Sequence, residues 1–219
     1  MFNFSIPSIL ARVLVLVTAI PFHEYAHAWA ADKMGDPTAK WRKRLTLNPL
    51  AHMDPIGVVM ILFFGIGFAK GVPVNSLNFR DRKKGIIVTS LAGPLSNVLL
   101  AFLCLLAYKL LYISYALVPM GILATLLTVL NFMVSINLSL AVFNMLPIPP
   151  LDGWNVLCQF LPSEIYWKVA AHERELVFLV LLLIMIGILD GPIGLLSHLL
   201  FVVIDKLTFF ADFLRVIIL

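Results

Sequence analysis

Two histidines and a glutamate share one turn of the segment Pro21-Phe22-His23-Glu24-Tyr25-Ala26-His27-Ala28-Trp29, which contains H-E-x-x-H. On a helix, His23 and His27 lie one turn apart on the same face, so both imidazoles can bind one metal ion. Glu24 follows the first histidine directly and can reach a water held at that ion. The motif sits inside an apolar stretch, where one charged group costs about 2.5–3.5 kcal/mol. Three ionisable residues in one turn at that depth require a compensating function.

Two histidines leave a zinc site incomplete, because catalytic zinc usually has three protein ligands. Asp152 is the only acidic residue between Asp81 and Glu164, and it ends the Pro-rich stretch Phe143-Asn144-Met145-Leu146-Pro147-Ile148-Pro149-Pro150-Leu151-Asp152. Its position suits a third ligand and a helix N-cap equally well. Cys158 is the rival ligand. Cys104 and Cys158, the only two cysteines, provide no disulfide framework and read as packing residues.

The elements that must bring these residues together belong in a membrane. Of 219 residues, 61% are hydrophobic and 13% are charged, against about a quarter charged in a soluble domain. The chain has room for five to six spans of about 20 residues each. The first runs over about 6–32, with Pro21 expected to kink it by leaving the Val17 carbonyl without its helical donor. No basic lead or small-residue cleavage site precedes it, so it reads as a retained span. Ala19, Ala30 and Ala31 lie near the histidine face and let neighbouring helices approach.

Residues 32–84 hold ten of the sixteen basic residues. The positive-inside rule assigns this loop, and the nearer metal motif, to the cytoplasm of an integral multi-pass protein of the cell membrane. Confinement of the basic residues to one loop argues against nucleic acid as a partner. Within the loop, about 55–74 is apolar with glycines at 57, 65 and 67. It reads as a short re-entrant, partly β segment rather than a span. Further spans are expected near 85–111 and 119–143. Asn131 and Asn137 in the last of these read as interhelical hydrogen-bonding residues. The remainder, 161–219, reads as C-terminal membrane helices.

Three landmarks in order, His23-Glu24-Tyr25-Ala26-His27, Gly93-Pro94-Leu95-Ser96-Asn97, and Asn144 through Leu151-Asp152-Gly153, resemble the site-2 protease family (peptidase family M50) of intramembrane zinc metalloproteases. The resemblance covers residues 1–160 and implies an all-α polytopic fold with a three-helix catalytic core. It implies one zinc ion per chain on His23, His27 and Asp152, with Glu24 as the catalytic base. It places Gly93, Pro94, Asn97 and Asn144 near the site, in substrate positioning or oxyanion support. His52 and Asp54 also look family-like, although a loop histidine is more often structural.

The expected activity is hydrolysis of peptide bonds within or near the transmembrane segment of membrane-protein substrates. The implied partners are a transmembrane protein or peptide and the lipid bilayer, and a homo-oligomer is compatible with the sequence. The alternative is a zinc-binding membrane protein without proteolysis, either a transporter or an inactive relative. The intact Glu24 argues against the inactive relative, because metal binding alone does not need it. The absence of paired inverted repeats argues against a transporter.

Overall fold

The computed structural model describes residues 5–64 and 69–218. The first apolar stretch forms two helices, α1 (Ile6–Val17) and α2 (Ala19–Met34). The break falls at Thr18, next to the carbonyl that Pro21 leaves without a donor. Hydrogen bonds bridge it, from Thr18 N–H to Leu14 O (2.8 Å) and from Phe22 N–H to Thr18 O (2.9 Å). The two helices therefore count as one span.

Gly35 ends α2 in the left-handed region, at φ 112°. The Asp36 N–H then bonds back to Ala31 O at 2.8 Å, which closes the helix end in the manner of a Schellman turn. Asp36 is fully buried. Its carboxylate accepts from Thr38 N–H (3.1 Å), Thr38 Oγ1 (2.5 Å), Asn75 N–H (2.6 Å) and Asn78 Nδ2 (2.8 Å). One side chain thus pins the far end of the long loop to the end of α2. Burial alone would raise this carboxyl's pKa, but the donors from Thr38, Asn78 and Asn75 outweigh it and hold it below the usual value.

A carboxylate with a depressed folded pKa contributes stability above its unfolded pKa, about 3.9, and loses it as pH falls through the lower folded value. Asp36→Asn should therefore lower the melting temperature at pH 7, with a cost of about 1–3 kcal/mol for mispaired buried donors. The gap to the parent should narrow below about pH 4, as read by thermal melting in detergent at both pH values.

The loop carries α3 (Thr38–Trp41) and α4 (Pro55–Phe64). Asp54 starts α4 by accepting from Ile56 N–H (2.9 Å) and Gly57 N–H (3.1 Å), as an N-cap does. The segment expected to be re-entrant and partly β is thus helical over 55–64. Residues 65–68 lie outside the described residues, and residues 69–75 are irregular. No strand occurs among the described residues.

Asp81 caps α5 (Arg82–Leu117), and a short connection leads to α6 (Gly121–Asn144). Then follow α7 (Asp152–Leu157), α8 (Ser163–Ala170), α9 (Glu173–Met185), α10 (Asp190–Leu207) and α11 (Phe209–Ile218). Among the described residues, three helical stretches are long and apolar enough to cross a membrane: 9–34, α5 and α6. The pair α10–α11, bent by 55°, makes a fourth if taken as one span. The expected five to six is a finer count than these helices support. The 13 residues of α9 fall short of the roughly 20 a span needs.

Small residues set the packing. Ala11, Val15 and Ala19 of the first span bury against Val129 and Met133 of α6. Ala101 and Leu105 of α5 meet Val134 and Leu138 of α6 and Ile204 of α10. On α2, Ala28, Ala30 and Ala31 are buried, which allows the close helix approach that packing in lipid relies on. Asn137 is also buried, but its Nδ2 donates to Met133 O of its own helix at 2.8 Å, so that donor is spent inside α6 rather than between helices.

Candidate metal centre

His23 and His27 lie on the face of α2 turned toward α5. Counted along α2 at 1.5 Å per residue, His23 lies about 16 Å inside the helix end at Met34. Gly93 lies about 16 Å inside the Arg82 end of α5 by the same measure. Asp32 and Lys33 close the first helix, and Asp81, Arg82, Lys83 and Lys84 open the second. By the same measure His27 lies about 10 Å inside the Met34 end, so both helices place the histidines well inside their polar ends.

Asp152 reaches that depth by a different route. After Asn144 the chain leaves α6 and turns tightly, with Ile148 N–H bonded to Leu146 O (2.9 Å) and Leu151 N–H to Ile148 O (3.0 Å). Gly153 makes the return possible. A Cβ there would fall on the backbone carbonyl of Met145 and lie 2.6 Å from the Leu146 oxygen. The glycine lets the start of α7 lie directly against the end of α6, which aims the preceding aspartate inward. Asp152 Oδ2 lies 3.4 Å from His23 Nε2 and 3.3 Å from His27 Nε2. The N-cap position of α7 is Leu151, with no side-chain cap bond, so Asp152 does not spend its carboxylate on capping. Cys158 stands at the other end of α7 and lies outside this group.

The second nitrogen of each ring fixes its tautomer. His23 Nδ1 lies 2.9 Å from Asn97 Oδ1, and His27 Nδ1 lies 2.7 Å from the Thr89 carbonyl. Both partners are pure acceptors, so each Nδ1 carries the proton and each Nε2 presents a lone pair. Those two Nε2 atoms are 2.9 Å apart. Asp152 Oδ2 is buried, and no donor reaches it among the described residues. Three electron-pair donors, each from a different residue, lie within 4.8 Å of one another with no proton between them. That arrangement is repulsive unless a cation sits at its centre. Two imidazole nitrogens and a carboxylate oxygen suit zinc with an open fourth position.

α5 shapes the floor of the site. A Cβ at Gly93 would fall on the His27 ring and lie 2.6 Å from the Cε1 of His23, so only glycine lets α5 approach this closely. Pro94 denies the Ser90 carbonyl its helical donor and loosens the turn beside it. The neighbouring Thr89 carbonyl belongs to that turn and is the one that faces His27. Asn97 is almost fully buried, at 1% exposure, and holds His23. Such partners fix ring orientation and ligand basicity. Asn97→Ala should lower zinc affinity about 10–100-fold, as read by competition with a fluorescent zinc chelator.

Asn144 does not join the group by hydrogen bonding. Its Nδ2 donates to Leu140 O of its own helix at 2.9 Å. His52 is fully buried and serves the loop, with Nε2 2.7 Å from Thr46 O. Glu24 is 8% exposed, and its Oε2 accepts from the Val72 backbone N–H at 2.8 Å. Thr89 and Val72 act here through backbone atoms, which no residue type in the sequence announces.

Comparison with known proteins places this geometry. Over 181 residues the chain is 40% identical to "Putative zinc metalloprotease YwhC" of Bacillus subtilis, covering 80% of this chain and 81% of that protein. The chain belongs to peptidase family M50. The family model, described as Peptidase family M50, matches residues 114–188, the part of the M50 chain that delivers Asp152. "Putative zinc metalloprotease Rip2" of Mycolicibacterium smegmatis is 31% identical over 80% of this M50 chain and 68% of its own length. "Putative zinc metalloprotease MJ0611" of Methanocaldococcus jannaschii is 35% identical over 71% and 73%. No solved structure matches the M50 chain.

Proposed function

We propose that this zinc metalloprotease hydrolyses peptide bonds within or near the transmembrane segment of membrane-protein substrates, at a site open to the cytoplasmic side of the cell membrane. The observation that carries the proposal is depth. The three donor residues converge about 10–16 Å inside the polar ends of two apolar helices, where a soluble polypeptide does not go.

A second feature supports an apolar substrate. A groove of about 580 Å³ runs between α5, the end of α6 and α10, with Pro94, Leu95, Met145, Pro147 and Leu199 among its lining residues. Pro94, which lines the groove, follows Gly93, the glycine packed against both imidazoles, although none of His23, Glu24, His27 and Asp152 lines it. The basic residues clustered at this end of the bundle support a cytoplasmic orientation.

His23, His27 and Asp152 would hold the ion, which supplies Lewis acidity to activate water and polarise the scissile carbonyl. Glu24 takes a proton from the attacking water and returns it to the leaving amine. Asn97 and the Thr89 carbonyl hold the two Nδ1 atoms, which would leave both Nε2 lone pairs to the ion. Gly93 keeps the space in which the rings lie, and Pro94 shapes the helix beside them.

The test uses purified protein in proteoliposomes with a fluorogenic peptide built around one apolar span, compared with a soluble peptide of the same cleavage sequence. The expected result is zinc-dependent cutting of the membrane-inserted peptide at a kcat/KM at least about tenfold higher. Equal or faster cutting of the soluble peptide would sink the intramembrane reading.

A further inference from the structure

Residues 69–75 form a strap that runs past Glu24 and is tied down on both sides of it. The Lys70 N–H donates to His52 O at 2.8 Å, and His52 is itself buried and 2.7 Å from Thr46 O. The Arg44 guanidinium donates to Lys70 O (2.5 Å) and Gly71 O (3.3 Å). At the other end, Asn75 N–H donates to the buried Asp36 carboxylate at 2.6 Å. Between these anchors the strap makes one bond into the site, from the Val72 N–H to Glu24 Oε2 at 2.8 Å. Pro73 follows immediately and stiffens the chain at that point.

We infer that the Val72 backbone N–H is a positioning donor for Glu24, and that the anchored strap exists in part to deliver it. A glutamate has three side-chain torsions and a carboxylate with two equivalent oxygens. An N–H fixed on Oε2 restricts that freedom and leaves Oε1 as the oxygen available to accept a proton. Orientation of this kind is worth large rate factors, because a shift of about 1 Å in a reacting group can cost about 10²-fold. Arg44 and Asp36 never touch the metal donors, yet they set where the carboxylate of Glu24 points. This inference rests on Glu24 acting as the base.

The test replaces the Gly71–Val72 amide by an ester, by incorporating the α-hydroxy analogue of valine at position 72. The change deletes the N–H and keeps the side chain and chain length. Val72→Ala, which retains the N–H, is the control, and the assay is cleavage of the fluorogenic membrane peptide with zinc content measured alongside. Val72→Ala should keep its zinc and lose far less kcat than the ester. The ester should keep its zinc and its KM while kcat falls about 10²-fold.

An ester with unchanged kcat overturns the inference. So does a kcat that rises, which would make the contact a lock, and so does a rise in KM alone, which would make the N–H a substrate contact. Should the ester protein fail to load zinc, Arg44→Ala decides. A lower kcat at constant zinc and KM supports the strap, and an unchanged kcat overturns it. Glu24→Gln separates the two levels. If that variant still cuts, the assignment of the base is at fault. If it is inactive while the ester is fully active, only the role of Val72 falls.

Discussion

Glu24→Gln is expected to keep one zinc per chain and to lose about 10²–10⁴-fold in kcat on a membrane-inserted peptide. Glutamine preserves the volume of the side chain and an oxygen for the Val72 N–H, so the loop contact at 2.8 Å survives. What it removes is the ability to take a proton from water. In the proposed site the ion would be held by the other three residues, whose donor atoms lie within 4.8 Å of one another without it. The pairing of retained metal with lost turnover is therefore diagnostic. Zinc analysis and single-turnover cleavage on the same preparation read both. A variant that cuts at the parental rate would remove Glu24 from the chemistry.

The second large effect comes from a residue with no donor atom. Gly93→Ala should abolish stoichiometric zinc binding while leaving every ligand in the chain. The added methyl would overlap the His27 ring and lie 2.6 Å from His23 Cε1, so the rings or α5 must move. His27 is held by the Thr89 carbonyl and His23 by Asn97, both from the same helix as Gly93. Either α5 backs away, which breaks those two bonds, or the rings rotate, which scatters the Nε2 lone pairs. A loss of roughly 10²-fold or more in zinc affinity follows, because both outer partners, each worth about 10–100-fold, are lost together. Equilibrium zinc titration of the variant measures it. Parental affinity would mean that α5 can shift freely, against the packing of Ala101 and Leu105 on α6.

Much of this site could be read from residue types and spacing, and the boundary of what could be read has a physical cause. His23, Glu24 and His27 announce themselves because side-chain chemistry at a helical interval is local information. Asp152 stood out because charge is scarce in apolar sequence; its type and position left cap and ligand open, the resemblance favoured a ligand, and the fold brings its carboxylate to 3.3–3.4 Å from both imidazoles. The Gly153 contact with the Met145 carbonyl is what turns it inward. Asn97 could be placed near the site by resemblance alone; its bond to His23 is a tertiary fact. The Thr89 carbonyl and the Val72 N–H left no trace in the sequence, since every residue has a carbonyl and nearly every one an N–H.

The membrane class followed from apolar content and the all-α fold from the resemblance, yet the count of spans followed from neither. The runs at 176–189 and 192–204 are apolar enough to suggest spans, but hydropathy does not encode where a helix stops. Gly187, at φ 76°, separates α9 from α10 and leaves α9 too short. The glycines after Pro55 suggested partly β backbone. Asp54 instead nucleates a helix there through two N-cap bonds.

The most direct measurement is zinc per chain in purified protein, parent against Asp152→Ala, by elemental analysis after removal of adventitious metal. The parent should carry one zinc per chain. The variant should carry none, because the remaining two imidazoles lose the anionic donor that lies 3.3–3.4 Å from both. An Asp152→Ala protein that retains a full equivalent of zinc would contradict the account at its centre.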